Sequence, residues 1–310
     1  MSDDVAFQSG ALIGVGLIGS SLALALKKAG VVARITGFDI DAAANAEALK
    51  LGVTDEAAKT LKDAIREAEL IIVATPVGAI ADVCNQLNAA AMAGAIAIDV
   101  GSTKGAAVRA AQSLRDDIFF VPCHPVSGTE QSGPAAGFAT LFQERWCILT
   151  PLSRNDEAYE RAVARVARLW EAAGAQVELM DAEHHDLALA VTSHLPHLIA
   201  FTLVGAADDL ESVTQAEIVK YSAGGFRDFT RIAASDPVMW RDVFLHNKDA
   251  VLETLGRFSE ELAVLQRAIR WGDGEALHRS FSRGRALRRA IVDAGQETAA
   301  PNFGRDDPAE

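Results

Sequence analysis

The chain has 310 residues, a length that suggests about two domains, and half of it is hydrophobic with 23% charged residues, an ordinary composition for a water-soluble fold. A formal net charge of −13 argues against a nucleic-acid partner, which needs a basic face. It also means that an anionic substrate must be drawn in by a local basic cluster. Cys84, Cys123 and Cys147 form no CxxC pair, so neither a disulfide framework nor a zinc site is expected and a reducing compartment is the natural reading.

The first residues, MSDDVAFQSG, lack the charged-then-apolar pattern of a signal peptide. Ala11–Val15 reads as a strand, Ser20–Gly30 as a helix, Ile35–Asp39 as a strand and Ala42–Leu51 as a helix. Further strands are expected at Leu70–Ala74, Ala95–Val100, Phe119–Pro122, Trp146–Thr150 and Gln176–Leu179. Apolar strands alternating with helices predict a parallel sheet covered on both faces. From Asp181, a capping residue, the pattern turns helical: Ala182–Ala207, Ser212–Ser222, Asp236–Leu265 in one or two pieces, and Asp273–Ala294. The expected organisation is an α/β Rossmann-type nucleotide-binding domain over 1–180, an all-α domain over 181–294 and a disordered polar tail over 295–310. Leu187–Ala207 is apolar enough to suggest a membrane span. Its His194, Pro196 and His197 and its lack of a basic flank favour a buried core helix, in a cytoplasmic protein with no membrane partner.

Gly14, Gly16 and Gly19 stand in G-x-G-x-x-G spacing between the first strand and its helix. In such a turn the first glycine bends the chain, the second lets the backbone approach a pyrophosphate, and the third packs helix on strand. Leu17, Ile18 and Gly19 would offer free N–H groups at the positive end of the helix. Asp39 follows Gly19 by 20 residues, where an acid accepts from ribose hydroxyls, and no arginine follows for a 2′-phosphate. The pattern predicts NAD rather than NADP. Gly10 leaves little regular strand before the turn. Thr75, Pro76 and Ser102, at the ends of later strands, would face the cofactor or serve as ordinary turn residues.

Three constellations carry chemistry. In FFVPCHPVSGTEQSGPAAG a strand delivers His124 into a glycine- and proline-rich loop, as a site residue or a structural histidine. A Cys123–His124 nucleophile pair is disfavoured because neighbours on an extended segment point to opposite sides. In SHLPHLIAFTL, His194 and His197 share one helix face at a Pro196 kink. No companion acid or cysteine stands at ligand spacing, so no metal is expected. In YSAGGFRDFTR, Arg227 and Arg231 would stack on one face and grip carboxylates, unless they form a solvated charged turn.

GVGLIGSSLA, DVGSTKG, HPVSGTEQSGPAAG, SHLPHLIA and GGFRDFTRIAASDPVMWRDVF, in that order, resemble the prephenate/arogenate (cyclohexadienyl) dehydrogenases of tyrosine biosynthesis across about residues 11 to 290. The departures are Ser127, where alanine is commoner, and Arg227, where lysine also occurs. The resemblance implies a Rossmann-type domain, a helical domain that makes a homodimer, and NAD-linked oxidative decarboxylation of prephenate or arogenate. Set against that family, the sequence is expected to carry no chorismate mutase segment before the domain, and its tail of about 16 residues is expected to be too short for a regulatory ACT domain. In this reaction hydride leaves ring carbon C4, a base takes the C4 hydroxyl proton, and loss of CO2 makes the ring aromatic. The base must be neutral at working pH, which suits an imidazole. By resemblance His124 is that base and Ser102 bonds the reacting hydroxyl or orients His124. Arg231 holds a substrate carboxylate, Thr129 and His197 bind the side-chain arm, and Glu130, Arg227 and Asp228 form an ionic gate. One rival, a β-hydroxyacid or imine reductase, needs a lysine that Ala182–Ala207 lacks. The other, a sensor that merely binds NAD, leaves the His124 and Arg231 clusters unused.

Overall fold

A computed structural model describes residues 7–129, 131–208, 217 and 220–293. Among them lie strands β1 (Gly10–Ile13), β2 (Ile35–Phe38), β3 (Glu56–Ala57), β4 (Leu70–Val73), β5 (Ile96–Asp99), β6 (Phe119–Pro125), β7 (Trp146–Leu149) and β8 (Gln176–Leu179). They form one eight-stranded sheet in the order β3-β2-β1-β4-β5-β6-β7-β8. The crossovers contain helices α1 (Leu17–Lys28), α2 (Ala42–Lys50), α3 (Leu61–Ile65), α4 (Ile80–Ala90), α5 (Lys104–Ala111) and α6 (Glu157–Ala172). β1, β4 and β5 are buried along their whole length, as strands covered on both faces must be. On one face Leu22 and Leu26 of α1 and Trp170 of α6 pack with Leu12, Leu70 and Ile72. On the other, Ile65, Ile80 and Leu87 meet Ile13, Ile71 and Ala97. Truncating one of these buried leucines to alanine costs about 2–5 kcal/mol. Strand order reverses between β1 and β4, and the crevice outside their carboxyl ends is where ligands bind in such sheets.

The sheet departs from the all-parallel expectation at β6. This strand pairs parallel with β5 as far as Pro122, then antiparallel with β7 through Cys123, His124 and Pro125. Proline, lacking an N–H, reads as a strand end. Here the Pro122 carbonyl accepts from Thr150 N at 2.9 Å, and the N–H of Cys123 is taken by Asp99 Oδ1 at 3.2 Å. A carboxylate thus continues the ladder where β5 stops, and His124 sits in a strand instead of a loop. Gly10 lies within β1, and the helix after the glycine turn starts at Leu17, three residues earlier than Ser20.

Beyond β8 come α7 (Ala182–Leu189), a π turn (Ala190–His194), α8 (Leu195–Asp208), α9 (Gly224–Thr230), a 3-10 turn (Arg231–Ala234), α10 (Pro237–His246), α11 (Lys248–Trp271) and α12 (Gly274–Asp293). Asp181 caps α7 by accepting from His184 N at 2.8 Å. Pro196 has no N–H and crowds the carbonyl four residues back, so the backbone widens into the π turn just before it. The segment Asp236–Leu265 is two helices that meet at Asn247. The expected helix Ser212–Ser222 lies largely outside the described residues, and the tail 295–310 lies wholly outside.

The expectation of a buried core helix is met on one side only of Ala182–Asp208, which by length and composition alone could cross a membrane. α5, α11 and the Arg231–Ala234 turn cover one side of it. The other side leaves Leu187, Val191, Leu203 and Val204 exposed. The buried side carries His185, Asp186 and His194.

Candidate active site

The glycine turn sits at the sheet's crevice. Gly14 has φ +91°, and a Cβ there would meet Ala74 O at 2.5 Å; a Cβ on Gly19 would meet Gly14 O at 2.5 Å and Ala74 Cβ at 2.8 Å. Both positions require glycine for chain bending and helix–strand contact. A Cβ on Gly16 would have nothing within 4 Å among the described residues, so the chain is open where a pyrophosphate would approach. No side chain caps α1 and no acid stands in its first turn, which leaves its N-terminal N–H groups to an anion. Asp39 accepts from Val15 N and Asp41 N, each at 2.9 Å, and is thereby fixed against the turn with further lone pairs to offer. Beside it Ile40 is 96% exposed. At the end of β4, Thr75 Oγ1 is buried with no hydrogen-bond partner among the described residues. These features fit a dinucleotide.

Two strands away, β5 ends in buried Asp99, which accepts from the Lys104 ammonium and from Gly101 N at 2.9 Å. Lys104 also donates to Cys123 O at 2.6 Å, tying β5 and β6 together one residue before His124. Half-buried Ser102 lies in the turn between Asp99 and α5. His124, near the end of β6, is buried, with its Nδ1 2.8 Å from His185 Nε2; His185 Nδ1 in turn lies 2.9 Å from Asp186 Oδ1. Burial, with the neighbouring His185, Lys104 and His194, holds the His124 pKa well below 6.5, so the imidazole is a free base at neutral pH. Cys123 points the other way, its Sγ 3.2 Å from Val121 O, and makes no pair with His124.

The Asp186 carboxylate sits on the N-terminus of α5, accepting from Lys104 N at 2.7 Å and Gly105 N at 2.8 Å. Burial raises its pKa, but the bonds from His185, Lys104 N and Gly105 N outweigh that and hold it below the usual carboxylate value. Asn247 Nδ2 donates to Asp186 O at 2.8 Å and to His194 Nδ1 at 3.0 Å. Burial lowers the His194 pKa to about 4. His197 stacks on Trp240 at 3.6 Å, and its Nδ1–H donates to Ser193 O at 2.9 Å. Burial depresses its pKa, and the Arg231 charge adds to that effect.

α10 packs on the short turn Val77–Ala79 after Pro76, where a Cβ on Gly78 would meet Asp242 Oδ2 at 3.4 Å. The helical part therefore leans over the end of β4. Not every expected residue joins this centre. Arg227 pairs with adjacent Asp228 at 3.1 Å, and both side chains are more than 70% exposed. Thr129 Oγ1 accepts from Gln131 N at 3.2 Å, while Glu130 lies outside the described residues. His185, Asp186, Asp99, Lys104, Asn247 and Trp240 escaped the sequence reading. The signal for two of them was EHHD, a His–Asp pair opening a helix that is otherwise apolar.

A glycine turn with its acid, a Rossmann-type sheet and a helical part leaning over the crevice define a nicotinamide-dinucleotide dehydrogenase. Residues 22–179 match the family model of the prephenate dehydrogenase nucleotide-binding domain, and residues 181–283 that of the prephenate dehydrogenase dimerization domain. The chain is 39% identical to cyclohexadienyl dehydrogenase of Zymomonas mobilis, covering 92% of this chain and 96% of the relative. It is 37% identical to prephenate dehydrogenase of Bacillus subtilis, over 94% and 78%. The structure of Aquifex aeolicus prephenate dehydrogenase in complex with hydroxyphenyl propionate and NAD+ matches with a TM-score of 0.82 and 33% identity, over 92% of this chain and 98% of that one. The chain belongs to the prephenate dehydrogenase family. It is an NAD-dependent oxidoreductase of tyrosine biosynthesis, acting in the oxidative decarboxylation of prephenate or arogenate. The reductase and sensor readings give way to this one.

Proposed function

We propose that His124 is the general base of this reaction. The carrying observation is a buried imidazole, kept neutral, whose neighbour Cys123 is tied through its carbonyl to Lys104, two residues after Ser102. Gly14, Gly16, Leu17, Ile18 and Gly19, with Asp39 for the ribose and Thr75 and Pro76 alongside, would hold NAD, which would supply the hydride acceptor. His124 takes the proton from the C4 hydroxyl, and Ser102 bonds the same oxygen. Arg231 grips a substrate carboxylate as a charge-assisted fork, providing the local positive charge that an acidic protein needs. His197, on its Trp240 shelf, and Thr129 bind the side-chain arm. Arg227, Asp228 and Glu130 form a gate at the mouth, a role that suits the exposure of the first two. Loss of the ring carboxylate as CO2 then makes the product aromatic, and burial around His124 keeps water from the reacting centre.

We assign the domain boundary to residue 180, supported by the end of β8 at Leu179 and the Asp181 cap. Two copies associate through the helical domain, and the enzyme works in the cytoplasm, where its three free cysteines stay reduced. The test is NADH absorbance with prephenate and with arogenate, in wild type and in His124→Asn. Turnover is expected with at least one substrate. A mutant kcat lowered by about 10² or more at nearly constant KM identifies the base. An unchanged rate in the mutant refutes it.

A further inference from the structure

Asp186 and His185 belong to the helical part, yet they end on the imidazole of β6. The hydrogen-bond chain has one consistent assignment. The Asp186 carboxylate only accepts, and besides the α5 N–H groups its partner is His185 Nδ1 at 2.9 Å. His185 Nδ1 therefore donates. A neutral imidazole that donates from Nδ1 accepts at Nε2, so His185 Nε2 receives the N–H of His124 Nδ1, 2.8 Å away. The rings meet edge-on, with centroids 5.0 Å apart and planes at 67°. His124 is left with its lone pair on Nε2.

We propose that His185 and Asp186 are positioning residues that set the tautomer of His124, so that Nε2 is the proton acceptor. This rests on His124 being the base. The same carboxylate is locked onto Lys104 N and Gly105 N, two and three residues after Ser102, so Asp186 positions both groups that would meet the reacting hydroxyl. Asn247 holds the Asp186 backbone from the far side. The groups facing the relay are Asp99 from β5, Lys104 from the start of α5 and His194 from the π turn. When His124 takes a proton, its Nδ1–H still points to an acceptor that Asp186 polarises. The imidazolium forms without any bond having to be remade.

Asp186→Asn reverses the chain. With the amide turned so that its oxygen keeps Gly105 N and its NH2 replaces the oxygen shared by Lys104 N and His185 Nδ1, the variant gives up the Lys104 bond and donates to His185 Nδ1, which makes His185 an Nε2–H donor and obliges His124 to accept at Nδ1 and carry its proton on Nε2. In the NAD-bound enzyme, nitrogen NMR of the His124 ring should show an unprotonated Nε2 in wild type and a protonated Nε2 in the variant. With the wrong tautomer, kcat should fall by about 10²–10⁴ while KM moves little. His185→Gln can still accept from His124 and donate to Asp186, whereas His185→Met can do neither. The glutamine variant should keep at least about tenfold more kcat than the methionine variant, and this pair decides the matter if Asp186→Asn does not fold. A wild-type Nε2 that is already protonated, an Asp186→Asn enzyme with a protonated Nε2 and normal kcat, or equal losses in the two His185 variants would each overturn the relay. The NMR readout needs no turnover. If His124 is not the base, His124→Asn keeps its rate while the tautomer result stands by itself.

Discussion

His124 must be neutral to accept a proton, and its surroundings keep it so. Burial disfavours the imidazolium, and Lys104 adds a positive charge nearby. A cationic acid whose pKa is lowered stays deprotonated to lower pH. The rate should therefore rise with pH through an ionisation well below 6.5 and be level above it. The profile of kcat/KM for wild type checks this, and that ionisation should be missing from His124→Asn; a wild-type limb at or above 6.5 contradicts the buried placement. At the other end of the crevice, Asp39 has each oxygen engaged by one backbone N–H and still presents lone pairs. Its charge repels a 2′-phosphate. NAD should be preferred over NADP, and Asp39→Ser should narrow the preference by roughly tenfold to a hundredfold, the worth of a charge-assisted bond of about 1.5–3 kcal/mol. Equal kcat/KM for the two cofactors in wild type would remove Asp39 from the ribose.

The strand–turn–helix around Gly14 separates two demands that the motif merges. Gly19 is glycine because the fold has no room: a methyl would meet Gly14 O at 2.5 Å. Gly16 faces open space, so its smallness serves the ligand and not the fold. Gly19→Val should lower thermal stability by an overpacking cost of about 1–3 kcal/mol. Gly16→Val should melt within roughly 0.5 kcal/mol of wild type yet bind NAD poorly by fluorescence titration. Wild-type NAD affinity in Gly16→Val would move the pyrophosphate elsewhere. This element was legible in the sequence because its determinants are local: strand, glycines and helix follow one another within 20 residues. β6 was not, because what carries it past Pro122 is Asp99, 24 residues before Cys123. Nothing in the sequence around Lys104 marks its ammonium as buried between Asp99 and the Cys123 carbonyl. His185 and Asp186 were hidden for the same reason: Asp186 meets Lys104 across 82 positions and His185 meets His124 across 61. Periodicity reports which face of an element is apolar, and it carries no record of which distant polar groups meet there.

At the scale of the whole molecule, the helical part is half-covered. Leu203, Val204 and Val191 stay open on the far side of the helix whose near side carries His185, Asp186 and His194. Leu252, Ile269 and Trp271 of α11 and Phe281 and Leu287 of α12 are also exposed. Monomeric soluble proteins rarely leave contiguous apolar patches larger than a few hundred Å² in water. A second copy brings the same face, and a twofold axis makes that face self-complementary. The side chains behind it are those that reach His124, so association would brace the site from outside. Light scattering at micromolar concentration should give twice the chain mass of 32.8 kDa. Leu203→Glu, a solvated change in one chain and a buried charge in a pair, should shift the mass toward one chain while far-ultraviolet circular dichroism stays constant. A wild-type mass of one chain, or a Leu203→Glu dimer as stable as wild type, would mean that this face is not where the copies meet.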